Sequence, residues 1–127
     1  MFGPDVVGSV ITGSYKRAGR SSTQVAIEVT GLAVIPAGGR LVSYVVGTRV
    51  DASSQAGMVV LMRSGCFNPN RIKVEKAAKF EPVDLTDYYV TLGDQSGVFA
   101  PLEKVSPEDV DWALSLGGRK LSDYLVK

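Results

Sequence analysis

The sequence predicts a mainly β fold: about six strands in a sandwich- or barrel-like antiparallel sheet, closed by a short C-terminal helical segment. Three observations lead there. Val25, Ile27 and Val29 alternate with Ala26, Glu28 and Thr30, the period of two that marks a strand with one buried face. Met58 to Met62 is a valine-rich apolar run too short for an ordinary helix, as expected of a strand covered on both sides. At Ser106 the chain changes character, with serine, proline and then two acids in succession. A length of 127 residues suits one domain, 1–127, with strands in 1–105 and the helical segment in 106–127.

The elements follow in chain order. Val6 to Thr12 is expected to be an initial strand, with Gly8 marking a bulge or an edge position. Tyr15 to Thr23 is a basic, serine-rich loop. The Val25 strand and a second from Leu41 to Val50 flank Pro36-Ala37-Gly38-Gly39, whose residues tolerate a tight reversal, so the pair is expected to form a hairpin. In the second strand, Val42, Tyr44, Val46 and Val50 share one face, and Ser43, Gly47 and Arg49 the other. Asp51 to Gly57 is a polar loop expected at an exposed tip, and Met58 to Met62 a central strand. Arg71 to Lys76 alternates charges with Ile72 and Val74, placing one face in solvent or against a polar partner. Tyr88 to Leu92 is another short strand candidate, ended by Gly93-Asp94.

Ser106 has the chemistry of an N-cap, Pro107 fits the first helical position, and Glu108 and Asp109 complement the helix dipole. Val110, Ala113 and Leu114 form one stripe, Trp112 reads as a packing anchor, and Gly117-Gly118 as the stop. Leu121, Tyr124 and Leu125 then recur at helical spacing, suited to covering an apolar edge.

Composition narrows the chemistry. Apolar residues make up 45% and charged residues 21%, an ordinary globular balance. The chain has no histidine, which removes the commonest general base, the commonest zinc ligand and every Ser-His or Cys-His nucleophile pair. Cys66 stands alone in the turn-rich Ser64-Gly65-Cys66-Phe67-Asn68-Pro69, the setting of a buried or incidental thiol. Glu81, Asp84 and Asp87, and Glu108, Asp109 and Asp111, are the remaining acid-base or metal candidates; the first group reads rather as a solvated loop and the second as acids that complement the helix dipole. Gly38-Gly39 and Gly117-Gly118 lack the surroundings of a phosphate-binding loop. No enzyme activity, cofactor, metal or small-molecule substrate is inferred.

No apolar run approaches the roughly 18 residues that cross a bilayer. The start Met1-Phe2-Gly3-Pro4-Asp5 lacks the form of a signal peptide. With an unpaired cysteine, these features lead to the expectation of synthesis in the cytoplasm and no membrane partner.

Charge is distributed unevenly. Residues 1–80 hold ten Lys and Arg against four Asp and Glu, a balance of +6; residues 81–127 hold four against nine, a balance of −5. The two sets could neutralise each other within one molecule. Alternatively, the basic face of one copy could meet the acidic region of another, or a surface of Lys16, Arg17, Arg20, Arg63, Arg71, Lys73, Lys76 and Lys79 could meet nucleic-acid phosphates. Of the aromatic residues, only Tyr15 accompanies this basic set closely, which speaks against base stacking. The leading expectation is a non-enzymatic structural subunit that self-associates or decorates a larger assembly, such as a virion capsid, decoration or tail component. Its partners would be copies of itself or a larger protein assembly, with Phe2 to Tyr15 and the helix after Ser106 reaching onto neighbours. The alternative is a nucleic-acid-binding β-barrel or an RNA-binding coat protein.

Overall fold

In a computed structural model, the described residues are all except 1, 17, 18, 20, 38, 55, 92–98, 102, 105, 116, 117 and 127. The fold is mainly β with only short helical turns. A one-turn 3-10 segment, Pro4–Val6, leads into β1 (Ser9–Tyr15), β2 (Thr23–Ala37), β3 (Arg40–Arg49) and β4 (Val59–Arg63). A second 3-10 turn, Ser64–Cys66, leads into β5 (Phe67–Lys76). These five strands pair antiparallel in the order β5-β1-β2-β3-β4, and the three-residue β7 (Phe99–Pro101) adds to the outer edge of β4. A smaller sheet places β6 (Tyr88–Thr91) between the two-residue β8 (Glu103–Lys104) and β9 (Gly118–Lys120).

The main sheet curls strongly without closing into a barrel. Three residues carry the chain from β4 to β5, strands at opposite ends of the five-strand ladder, yet the two do not pair. Inside the curl lie Ile11, Tyr15, Val25, Ile27, Val29, Val45, Val60, Met62 and Phe67, together with Val6, and the partly buried Phe2 packs against them. On the convex face, Ala33, Ile35, Tyr44, Val46 and Leu61 meet Leu85, Val90 and Leu121 from the C-terminal third of the chain. Each fully buried aliphatic or aromatic side chain contributes roughly 1.5–3 kcal/mol, so both layers matter to stability.

One bulge lets β2 serve both layers. Val29 pairs with Gly47 and Gly31 with Val46, so Thr30 is an extra residue in β2. Side chains alternate with a period of two, so the insertion moves odd-numbered residues to the opposite face. Val25, Ile27 and Val29 therefore enter the curl, whereas Ala33 and Ile35 enter the convex layer. Beyond Glu28, β2 has left β1, and its free edge is taken by the chain's end: Leu125 bridges to Ala33, and the Val126 N–H donates to the Leu32 carbonyl at 2.8 Å.

Several expectations need correction. β1 starts at Ser9 rather than Val6, and it lies inside the sheet between β5 and β2 rather than at an edge. In β3 the face of Val42, Tyr44 and Val46 meets the second sheet as the alternation leads one to expect, and Val45 on the other face is buried as well. Val50 falls beyond the strand and is exposed. The segment after Ser106 begins as a 3-10 turn, Pro107–Asp109, before α1 (Val110–Ser115). The Ser106 hydroxyl donates to the Asp109 carboxylate at 2.9 Å instead of capping a backbone N–H. The 106–127 segment is not wholly helical, since it contributes β9 to the small sheet. Trp112 is no packing anchor: it is 66% exposed, and Leu114 is exposed beside it. The stop assigned to Gly117 and the turn residues Gly93-Asp94 lie outside the described residues.

Candidate interaction surfaces

The structure disperses the predicted basic set. Lys16 follows β1, and its N–H donates to the Cys66 carbonyl at 2.9 Å. Arg71, Lys73 and Lys76 are exposed on β5, the edge strand. Lys73 and Lys76 point to opposite faces, as their register partners Thr12 and Ser9 do. Lys73 is paired with Glu75 at 2.8 Å, and Lys79, beyond the strand, with Glu81 at 3.7 Å. Arg17 and Arg20 lie outside the described residues. The charges on β5, together with Pro69, suit an edge that must not recruit another strand.

Arg63, at the end of β4, is in a different setting. It lines an open cleft of about 280 Å³ with Arg40, Leu41, Val42 and Ser43 from the β2–β3 hairpin and Ser64 and Gly65 from the 3-10 turn. Two guanidiniums and two serines bring donors to one concavity, and among the described residues neither arginine has an acidic partner. At its rim Leu41 is 73% exposed. Burial raises the Tyr44 phenol and the Cys66 thiol above their ordinary values, and in each case the Arg63 charge opposes the rise. Tyr15 also opposes it at Cys66, through a side-chain hydrogen bond. The half-buried thiol is thus held in its protonated, weakly nucleophilic form near neutral pH.

Arg40 is absent from the basic set read from the sequence. Its signal is its place directly after Gly38-Gly39, which puts it at the mouth of the hairpin; its convergence with Arg63 depends on the fold. The hairpin register supplies it: Ala37 pairs with Arg40, while Tyr44 pairs with Arg63 across β3 and β4.

Arg49 has a structural role instead. It lies opposite Ile27 in the curl and is buried, with its Nε 2.5 Å from Asp51 Oδ2. Asp51 also accepts from the Ala26 N–H at 3.0 Å and from both the N–H and the hydroxyl of Ser53. Burial alone would raise the Asp51 pKa, but these donors outweigh it and hold the carboxyl far below its usual range. The expected polar tip is therefore anchored at Asp51, and this cluster ties the β3–β4 connection to β2.

Among the described residues the carboxylate candidates are exposed or engaged in local contacts. Asp84 accepts from the Thr86 N–H at 3.1 Å and its hydroxyl at 2.6 Å, a local turn, while the Glu81 N–H donates to Glu28 Oε1 at 3.1 Å. Glu108, Asp109 and Asp111 are all exposed, around the same turn that exposes Trp112 and Leu114. Among the described residues, no three His, Cys, Asp or Glu side chains are grouped to hold a metal ion, and no helix is long and apolar enough to cross a membrane. The N-terminal segment expected to reach a neighbour is used within the molecule instead: Phe2 stacks edge-on against Phe67 at 5.6 Å, and Val6, Ile11 and Tyr15 are core residues.

Comparisons with protein-family models, curated proteins and solved structures found no match.

Proposed function

We propose that this chain is a non-enzymatic structural subunit that self-associates or decorates a larger assembly, of the kind that builds a virion capsid, decoration layer or tail. The observation that carries this reading is the state of the opposed charges. Among the described residues, the ion pairs Arg49–Asp51, Lys73–Glu75 and Lys79–Glu81 each join residues two apart, so none of them links the body of the basic half to the distant acidic C-terminal region. A basic cleft with an exposed leucine and an acidic turn with an exposed tryptophan are both left facing solvent. Complementary charge steers association and fixes register, while buried aromatic and aliphatic side chains supply most of its energy.

Light scattering and negative-stain imaging of the purified chain, freed of nucleic acid, test this. Discrete rings, tubes or shells are expected at low ionic strength, weakening as salt shortens the range of the charge interaction. A protein that stays monomeric across salt and concentration overturns the proposal. Particles that form only after RNA is added move the function to the alternative, a nucleic-acid-binding coat protein.

A further inference from the structure

We propose that the Arg40–Arg63 cleft of one copy receives the acidic turn around α1 of a second copy, with Glu108 and Asp111 meeting the guanidiniums and Trp112 packing beside Leu41. This rests on the self-association proposed above and specifies its contact. The two surfaces match in kind. The cleft offers two arginines without acidic partners among the described residues, two serines and a leucine 73% exposed at its rim. The turn offers exposed carboxylates at Glu108, Asp109 and Asp111 with Trp112 66% exposed and Leu114 exposed among them. Asp109 already accepts the Ser106 hydroxyl, which leaves Glu108 and Asp111 as the freer acids.

Arginine forks bind carboxylates in two-point geometry, and tryptophan and arginine are the side chains most enriched where interfaces concentrate their energy. Depositing a large exposed aromatic next to an exposed leucine removes apolar area from water on both partners. The contact is heterologous, since two different surfaces meet. Repetition therefore gives a closed ring if the rotation between copies closes and a filament if it does not. The charge-guarded β5 edge is left outside the contact, consistent with its Pro69 and its alternating charges.

The test is a charge swap read by light scattering and sedimentation. Arg40→Glu/Arg63→Glu makes the cleft acidic, and Glu108→Lys/Asp111→Lys makes the turn basic. Each variant alone pairs like charges, so its self-association is expected to weaken at least tenfold. An equimolar mixture offers an acidic cleft to a basic turn and a basic cleft to an acidic turn, so assembly is expected to return. Arg63 is half-buried, so Arg40→Glu alone serves as a second cleft variant at an exposed position; circular dichroism establishes that each variant is folded. Variants that assemble like the wild type, or folded variants that fail to recover on mixing, overturn this contact while leaving self-association standing. A wild type that never assembles overturns both.

Discussion

The Arg63 N–H donates to Tyr15 Oη at 2.9 Å, joining the end of β4 to the end of β1 across a sheet in which β2 and β3 lie between them. The bond closes one rim of the curl where no ladder does. Beside it, the Tyr15 ring meets Phe67 edge-on at 4.8 Å, and the Lys16 N–H reaches the Cys66 carbonyl. The rim therefore joins three strands through one buried phenol.

Tyr15→Phe should keep the ring packing and remove the acceptor. An N–H left without its partner in a part-buried site costs about 1–3 kcal/mol, so urea unfolding is expected to show a loss in that range with an unchanged denaturant slope. No loss of stability would mean that the hydroxyl is not what holds the rim together.

Much of this architecture is legible in the sequence, and the departures from it share a cause. The Val25 alternation, the hairpin, the apolar Met58–Met62 run and the Tyr88 strand are local patterns, and each has its counterpart among β2, β3, β4 and β6, although Met58 is exposed ahead of β4 and β4 stands at one end of the five-strand ladder rather than at its centre. What pattern alone does not give is layering. Thr30 breaks the period of two, so Leu32 to Ile35 do not continue the Val25 pattern although β2 runs on to Ala37. Trp112 departs from its expected burial because size and apolarity argue for a core position only when some surface lies opposite. The arginine cleft is half visible: Arg63 belongs to the basic set, but Arg40 joins it only through the β3–β4 register.

The bulge at Thr30 makes a sharp demand on Gly47. A Cβ there would overlap the Glu28 carbonyl oxygen and press on Val29 Cα at 3.1 Å, and backbone within a ladder cannot swing aside. Gly47→Ala is therefore expected to cost about 3 kcal/mol or more, at the upper end of what overpacking does. Gly65→Ala is the control: beyond its chain neighbours, no atom lies within 4 Å of where the added methyl would sit, and stability should change by less than about 0.5 kcal/mol. Thermal unfolding of the two variants side by side checks the contrast.

Asp51 gives the stability a pH dependence of defined sign. Its pKa is lowered in the folded chain from an ordinary 3.8, so the unfolded chain takes up the proton first as pH falls. The contribution is fully present above about pH 5 and is lost progressively as pH falls through 3.8 toward the folded value. Asp51→Asn leaves the buried Arg49 guanidinium without its counter-charge, which should cost about 3 kcal/mol at pH 7, the lower end for a broken buried pair. Urea midpoints between pH 7 and pH 3 should fall more steeply for the wild type than for the variant. Parallel profiles would show that Asp51 is not the titrating group.

Trp112 reports directly on association because it is the chain's one tryptophan and is 66% exposed in the single copy. In dilute solution at high salt its emission should be that of a solvated indole and should be quenched efficiently by acrylamide. As concentration rises at low salt, seating beside Leu41 removes the ring from water, so the emission should shift blue and quenching should fall at least twofold. Trp112→Ala removes no packed core atom, so its unfolding free energy should stay within about 0.5 kcal/mol of the wild type while self-association weakens at least tenfold. The two measurements separate the roles: a large loss of stability would make Trp112 a structural residue, and unaltered assembly would remove it from the interface.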